Sequence, residues 1–565
     1  MNQIQEKEAR NSMSGGHETP ARALRERAPI EVKLSAVLAG VEADSPAESA
    51  EIRIRQVTCD SRKVQAGAMF FALHGAKADG NAFVRDAVER GAAAIASDEN
   101  PPAGLAPGLL ANVAWIRVRQ PRKALAQAAA NFFGHPANAL KMVAVTGTNG
   151  KTTTTSVVDA IVKASGAKTG LFGTIAYHTP RGEYHAPNTT PESVDLQGAL
   201  AEVRDAGGRY AVLEASSHSL AMDRLWGCHF AAAVFTNLTR EHMDYHKTFE
   251  DYFAAKKRLF DGTGAGAPDA AIVNTDDPYG KRLVGVTKGT VTYGLESGAE
   301  LTTKKFQLTF NGLSFTAQTP KGKVKVESRL VGRINVYNIL AAIGAAQALG
   351  LANEVIESGI RNLQSVSGRF ERIDCGQKFF VVVDYAHTDD ALENLIKTAR
   401  ELNPKGRVIS LFGCGGWKDR TKRPVMGEVA GRLSDLTILS NDNPKTEDPL
   451  KIISDVVVGL QKANGKYLIE PDREKAIDLA MDQAHPGDIV LLAGKGHENY
   501  QILADRTIEF DDRDQARRAL RQRGYEGCHD APSGPGFGTL RAYMSAYREA
   551  LGVAVTLSME EPSKR

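Results

Sequence analysis

Apolar residues along this chain come in short runs that end in polar, glycine-containing turns, and segments of helix length separate the runs. The clearest series is Met142–Thr146, Tyr210–Leu213, Ala232–Phe235 and Ala270–Val273. Short aliphatic runs bounded by turn signals predict buried strands, and their alternation with helical segments predicts βαβ units around a mostly parallel sheet. A second series, Phe379–Val383, Val408–Phe412, Leu436–Leu439 and Asp488–Leu492, predicts another such sheet. Upstream, Ile52–Val57 and Met69–Leu73 alternate with alanine-rich stretches and predict a smaller α/β unit. The expected class is α/β with three domains: a small one over 29–138, a central P-loop-type domain with a mostly parallel sheet over 139–366, and a Rossmann-like one over 367–525. A polar, flexible extension over 1–28 precedes them. A tail over 526–565 follows, with one amphipathic helix expected at Thr539–Leu551 and no role assigned.

The run Met142–Thr146 leads into Gly147-Thr-Asn-Gly-Lys-Thr-Thr153. Gly147 and Gly150 allow backbone N–H groups to turn inward, Lys151 adds a cation, and Thr152 adds a hydroxyl for a phosphate-bound Mg²⁺. This predicts a nucleoside triphosphate site. The loop is shorter than G-x-x-x-x-G-K-[ST], because Val145 stands five residues before Gly150. Composition narrows the partners. A formal net charge of +3 with 24% charged residues gives no global basic field for nucleic acid. The five cysteines, Cys59, Cys228, Cys375, Cys414 and Cys528, contain no C-x-x-C pair and read as reduced thiols in a cytosolic compartment, against a zinc cluster. No run approaches the roughly 18 apolar residues of a membrane span, and the charged first segment lacks the apolar core of a secretion signal.

Polar motifs at the predicted strand ends carry the candidate chemistry. Glu214 reads either as a Mg²⁺ ligand beside the phosphate loop or, with Ser216, Ser217 and His218, as part of a helix N-cap cluster. His242, Asp244 and His246 crowd one loop at alternate positions, as a transition-metal site or a hydrogen-bond network. The cations of Ala255–Phe260 read as a solvated face. Each strand of the second series is followed by such a motif: Asp384-Tyr-Ala-His387, Gly413-Cys-Gly-Gly416, Asn441-Asp-Asn-Pro-Lys445 and Gly494-Lys-Gly-His-Glu498. Ligands bind beyond the carboxyl ends of strands in open α/β sheets, so one face of this domain is expected to hold one. Asp442, Asn443, Lys445 and Glu498 offer partners for the ammonium and carboxylate groups of an amino acid. Asn441–Lys445 and Gly494–Glu498 also read as plain turns.

Taken in order, these motifs resemble the Mur ligases, most closely the MurE branch. The others are Asp60-Ser-Arg62, Asn188-Thr-Thr-Pro-Glu192, Phe235–His246, Lys256 with Leu259-Phe260, Asn335-x-x-Asn338, Gly368-Arg-Phe-Glu371 and Lys422-Arg-Pro424. The resemblance covers about Leu34 to Tyr525. It implies an ATP- and Mg²⁺-dependent cytoplasmic ligase of peptidoglycan precursor synthesis, whose three domains hold the uridine nucleotide, ATP and the incoming amino acid. The reaction would add meso-diaminopimelate to the D-Glu of UDP-MurNAc-L-Ala-D-Glu through an acyl phosphate and a tetrahedral intermediate. A lysine-adding MurE, another Mur-like ligase such as a folylpolyglutamate synthetase, and a non-catalytic nucleotide-binding regulator are the alternatives. Carried over position by position, the resemblance places Lys151, Glu214, His242, His387 and a carbamylated Lys256 in catalysis. Thr152, Glu214, His242 and Lys256 would hold Mg²⁺. Gly147, Thr148, Asn149, Gly150, Lys151, Thr152, Thr153, Asn274, Asp276, Asn335 and Asn338 would meet ATP. Ser61, Ala76, Lys77, Ala78, Asn188, Thr189, Thr190, Ser217 and Arg224 would hold the UDP-dipeptide. Asp442, Asn443, Pro444, Lys445, Gly494 and Glu498 would receive the acceptor. A monomer without nucleic-acid or membrane partners is expected.

The departures from the family pattern concentrate at the acceptor. Diaminopimelate-adding relatives usually read Asp-Asn-Pro-Arg, and Lys445 here keeps the charge without the bidentate fork. Lysine-adding relatives usually lack a cation there, so Lys445 favours diaminopimelate. Met222, Glu241, Asp389 and Trp417 also depart from the usual residues.

Overall fold

The computed structural model describes residues 30–75, 78–102, 108–296 and 298–528. Ala76, Lys77, the N-terminal extension and the expected helix at Thr539–Leu551 lie outside these residues. The first sheet has five strands in the order Ala43–Asp44, Ala114–Val118, Ala92–Ser97, Ala68–Phe71 and Gln56–Thr58, parallel after the first pair. The expected run Ile52–Val57 is split. Arg55 N–H donates to Gly67 O, which leaves Arg53–Ile54 to pair with Val32–Lys33 and Gln56–Thr58 to join the sheet.

The central sheet has eight strands, ordered Gly182–His185, Ala176–Thr179, Thr169–Phe172, Tyr210–Glu214, Lys141–Thr146, Ala232–Phe235, Ala270–Asn274 and Thr290–Tyr293. All neighbours from Thr169–Phe172 onward are parallel, while the hairpin at 176–185 adds an antiparallel edge. Helices Lys151–Ala164, Arg333–Ala348 and Asn353–Asn362 cover one face, and Ser193–Asp205 and Phe249–Lys257 cover the other. A sheet buried on both faces needs apolar side chains at every position, so its strands read as continuous apolar runs. Because Lys141–Thr146 lies between Tyr210–Glu214 and Ala232–Phe235, the loops after all three strands open at one edge.

The C-terminal sheet runs Glu371–Ile373, Phe380–Asp384, Ile489–Ala493, Val408–Phe412, Leu436–Leu439 and Tyr467–Ile469, parallel after the first pair. Between the two larger sheets lies a three-stranded antiparallel sheet, Phe306–Thr309, Gly312–Thr319 and Gly322–Ser328, that the run pattern did not announce. Asn311-Gly312 between alternating residues is the hairpin signal that marks it.

The thiol expectation needs one correction: Cys375 and Cys528 form a disulfide across 153 residues, while Cys59, Cys228 and Cys414 are free. The segment after helix Asp512–Gln522 returns to the sheet edge, where Gly527 N–H donates to Cys375 O. Nothing in the local spacing of the cysteines reveals that return. Among the described residues, no helix is long and apolar enough to cross a membrane.

Candidate active site

Strand Lys141–Thr146 ends at Gly147, and helix Lys151–Ala164 begins after Gly150. These glycines have φ of 149° and 86°. A Cβ would collide with Thr236 Oγ1 at the first and with Asn338 Oδ1 at the second, so both positions require glycine. The loop is tied to the next strand end: Thr148 N–H donates to Asn237 O and Asn149 N–H to Asn237 Oδ1, each at 2.9 Å. The N-terminal N–H groups of a 14-residue helix then face the turn, an arrangement that favours phosphate.

Two lysines converge on this loop, Lys151 half-buried and Lys256 buried. Lys151 Nζ donates to Gly147 O at 2.9 Å and Thr148 O at 2.7 Å, and Lys256 Nζ donates to Gly147 O at 2.8 Å. Lys256 is only 1% exposed, with its ammonium 4.5 Å from the centre of the Tyr252 ring. Burial lowers the pKa of both amines, and the charge of Lys151 pushes Lys256 further, well below the usual lysine range. The solvated-face reading of this segment is corrected at Arg258 as well, while Lys257 keeps it in a surface pair. Lys257 pairs with Asp261 at 2.8 Å, and Arg258 holds Asp223 and the carbonyls of Leu220 and Thr263.

The two readings of the Glu214 motif divide between residues. Ser216 caps its helix, its Oγ accepting Ser219 N–H at 3.1 Å. Glu214 is 1% exposed, accepts from Thr174 N and Oγ1 at 2.9 and 3.0 Å, and lines a cavity of about 690 Å³ with Thr152. Asn188, Thr189, Thr190, Ser217 and Arg224 belong to the same strand-end edge. Thr190 Oγ1 donates to Glu214 O at 2.7 Å, Arg224 Nη1 donates to Thr190 O at 3.0 Å, and Thr189 Oγ1 lies 3.2 Å from Thr174 Oγ1. Arg224 Nη2 also reaches Met222 Sδ at 3.8 Å. Ser61 opens a turn at the end of an N-terminal strand, in the domain whose Arg122 lies 3.9 Å from Glu192; Ala78 belongs to the same domain.

His242 and His246 pack against His218, while Asp244 is exposed. The His218 and His242 rings are 4.7 Å apart edge to face, and His246 Nε2 is 2.8 Å from Ser217 Oγ. Burial pushes the pKa of His242 down to about 3 and that of His246 to about 4, so both rings are neutral near pH 7. Among the described residues, one group of three or more His, Cys, Asp or Glu side chains comes close enough to share an ion, the exposed set His74, Asp79 and Glu99 on the N-terminal domain.

Asn335 and Asn338 line a narrow cavity with Asn149, Gly150, Thr153 and Arg369. Asn274 and Asp276 do not line it. They tie their strand end to its neighbours: Asn274 Nδ2 donates to Thr236 O, and Asp276 Oδ2 accepts from Leu295 N and Tyr337 Oη.

A third cavity, of about 310 Å³, joins Arg240, Glu241 and His242 of the central domain to His387, Asp442, Asn443, Lys445, Gly494 and Glu498 of the C-terminal domain. Asn443 Nδ2 donates to Glu498 Oε2 at 2.9 Å, and Lys495 Nζ donates to the same oxygen at 3.1 Å. Pro444, between Asn443 and Lys445, closes the turn against Gly416, whose added Cβ would strike Pro444 O. Burial raises the pKa of Asp442. Glu241 goes the other way: burial would raise it, but His242, His387 and Lys151 hold it well below the usual carboxylate range. Its Oε1 lies 3.2 Å from His387 Nε2, and Asn149 Nδ2 donates to Asp390 Oδ2 at 2.7 Å, so contacts cross between the phosphate loop region and the C-terminal domain. Arg369 makes a further crossing, donating to Thr152 Oγ1 at 3.2 Å. Sequence reasoning did not single out Arg369, Asp390 or Lys418, which also lines this cavity. Arg369 and Asp390 carried a faint signal, since both sit inside or beside motifs already noted.

Residues 145–346 match the Mur ligase middle domain, 368–496 the glutamate ligase domain of the Mur ligases, and 53–133 the domain described as catalytic in the Mur ligase family. A UDP-N-acetylmuramoyl-L-alanyl-D-glutamate--2,6-diaminopimelate ligase of Solibacter usitatus (strain Ellin6076) is 48% identical over 497 residues, covering 87% of this chain and 99% of that protein. A solved structure of a ligase of the same name aligns with a TM-score of 0.61 at 32% identity, over 87% of this chain and 99% of the other. The MurF ligase from Thermotoga maritima in complex with ADP aligns at TM-score 0.57 and 18% identity, over 83% and 98%, a likeness of fold alone. The shared motifs, the three sheets and these matches together show that the chain belongs to the Mur ligase family, in its UDP-N-acetylmuramoyl-L-alanyl-D-glutamate--2,6-diaminopimelate ligase branch.

Proposed function

We propose that this ligase uses ATP to join meso-diaminopimelate to the D-Glu side-chain carboxylate of UDP-MurNAc-L-Ala-D-Glu, as a step of peptidoglycan precursor synthesis. The observation that carries this reading is the meeting of two sites at one domain junction. The phosphate loop with Lys151 and the buried Lys256 lies on one side, and the cavity bearing Asp442, Asn443, Lys445 and Glu498 on the other. In the first step a carboxylate oxygen attacks the γ-phosphorus and ADP leaves. The acceptor amine then adds to the acyl carbon, and the tetrahedral adduct expels phosphate. Two anions must approach each other first, so the protein's share is positioning and charge neutralisation. Lys151 and the helix N-terminus draw the phosphates, while Arg369 fixes the Thr152 hydroxyl. Asn188, Thr189, Thr190, Ser217 and Arg224 hold the dipeptide beside Glu214. Ser61 and Ala78 lie on the side given to the uridine nucleotide.

The residues present fit Mg²⁺. Glu214 offers a carboxylate, Thr152 a hydroxyl and His242 a neutral ring, and Lys256 offers a second carboxylate once carbamylated; hard oxygen donors suit this ion. When bound, the ion would neutralise charge between the phosphates and the substrate carboxylate.

Phosphate release with UDP-dipeptide and a panel of acceptors tests the reading. Diaminopimelate should support release far better than L-lysine, because the Lys445 ammonium repels a second cation and attracts the distal carboxylate. Faster release with L-lysine would overturn that assignment. Release that requires neither UDP-dipeptide nor acceptor would point to a nucleotide-binding protein that does not ligate. Lys445→Ala should raise the KM for diaminopimelate about tenfold, as the loss of a charged hydrogen bond implies, and leave that for ATP unchanged. Equal rises for both would remove Lys445 from acceptor binding.

A further inference from the structure

Trp417 is 49% exposed at the rim of the domain junction, yet its backbone is firmly placed. Trp417 and Lys445 have φ of 59° and 56°, a region that bulky side chains seldom adopt. Below Trp417, its N–H donates to Glu447 Oε2 at 3.3 Å, and Glu447 is gripped by Arg423 Nη1 and Nη2 at 2.7 and 2.9 Å. Arg423 is fully buried and also holds Asp455 at 2.9 Å. The hydrogen bonds of Arg423 keep the Glu447 carboxyl down at about 2, so it stays an acceptor across the working pH range. Beside Trp417, Gly416 N–H donates to Asn443 O at 2.9 Å, and Lys445 N–H donates to Ile502 O at 3.1 Å. Two loops from different strands are thereby drawn together, with Lys445 Nζ 5.4 Å from the centre of the Trp417 ring.

We propose that Trp417 is a positioning residue for Lys445, its ring face holding the ammonium at the mouth of the acceptor cavity so that it meets the distal carboxylate of the incoming amino acid. The proposal rests on reading that cavity as the acceptor pocket. An arginine at position 445 would orient itself through a planar fork, whereas a lysine ends in a compact charge on a flexible four-carbon stem. A tryptophan face within about 6 Å restrains that charge, because its ring quadrupole attracts the cation and its bulk removes other rotamers. Trp417 and Lys445 thus replace one rigid residue by two coupled ones. The pairing of buried Arg423 with Glu447 is the base that keeps the aromatic half in register.

Steady-state kinetics with each substrate varied in turn tests this. Trp417→Ala should raise the KM for diaminopimelate about three- to fivefold, the free-energy range of an exposed cation–π pair. The kcat and the KM values for ATP and UDP-dipeptide should stay the same. Trp417→Phe, which keeps an aromatic face, should recover most of the loss, and Trp417→Ala combined with Lys445→Ala should be no worse than Lys445→Ala alone. Diaminopimelate should also change the tryptophan emission of the wild type and not of Trp417→Phe, since the other two tryptophans, Trp115 and Trp226, lie elsewhere. A wild-type enzyme that rejects diaminopimelate overturns the acceptor reading. A wild type that accepts it, with an unchanged KM in Trp417→Ala or additive losses in the double variant, overturns the clamp alone.

Discussion

Replacing Lys256 by alanine should lower turnover by about 10²- to 10³-fold, the loss that follows removal of one preorganised charge-stabilising group. Acetate should then restore part of it. Lys256 is buried at 1% exposure, and its ammonium shares the Gly147 carbonyl with Lys151. Two cations on one oxygen inside the protein are unfavourable, and burial favours the neutral amine at Lys256. A neutral amine can add to carbon dioxide: the nitrogen lone pair bonds to carbon, one N–H proton leaves, and a carbamate results. The residue then carries a negative charge beside Lys151 in place of a positive one. Alanine leaves room for a small carboxylate to take that place, whereas Lys256→Arg fills it with a permanent cation and should not respond. Lys257→Ala is the control, since it breaks a surface pair with Asp261 and should change turnover by less than about twofold. Phosphate release with and without acetate reads the result. Full activity in Lys256→Ala, or no response to acetate in a variant that melts like the wild type, would remove Lys256 from the site.

The parts of the molecule legible in the sequence were those whose physics is local. Ala232–Phe235 and Val408–Phe412 appear as runs because parallel strands covered on both faces tolerate no polar position. Gly147 and Gly150 appear because only glycine fits their φ and their neighbours. Burial set by distant docking was hidden. Lys256 and Arg258 look like a solvated pair until helix Phe249–Lys257 is laid against the phosphate loop and Asp223, and only the family resemblance singled out the first. Contacts such as Asn149 with Asp390 and Arg369 with Thr152 join residues more than 200 positions apart. The disulfide of Cys375 with Cys528 was hidden for the same reason, as it depends on a chain return that no spacing encodes.

Asp512→Ala should destabilise the C-terminal domain by about 3–5 kcal/mol, because it strips the counter-charge from a guanidinium that no water reaches. Arg473 and Asp512 are both 0% exposed, with Nε to Oδ1 at 2.8 Å and Nη2 to Oδ2 at 2.7 Å. The pair does more than neutralise itself. Arg473 Nη1 donates to Asn441 O at 3.1 Å and Nη2 to Ala493 O at 2.9 Å. Those carbonyls immediately precede Asp442 and Gly494, so one buried strut carries both acceptor loops. The melting transition of that domain should fall by about 6–20 °C, at roughly 2–4 °C per kcal/mol for a unit of this size. Replacing the pair together, as Arg473→Met with Asp512→Leu, should recover only part of the loss. The buried charges are gone, but two carbonyls remain without donors, each costing about 1–3 kcal/mol. Both variants should raise the KM for the acceptor more than that for ATP, since the loops displaced belong to the amino-acid side. Calorimetry and steady-state kinetics on the same preparations separate the two effects. A wild-type melting profile in Asp512→Ala would show that the pair is not the strut, whereas a lowered transition with an unchanged acceptor KM would confine its role to stability.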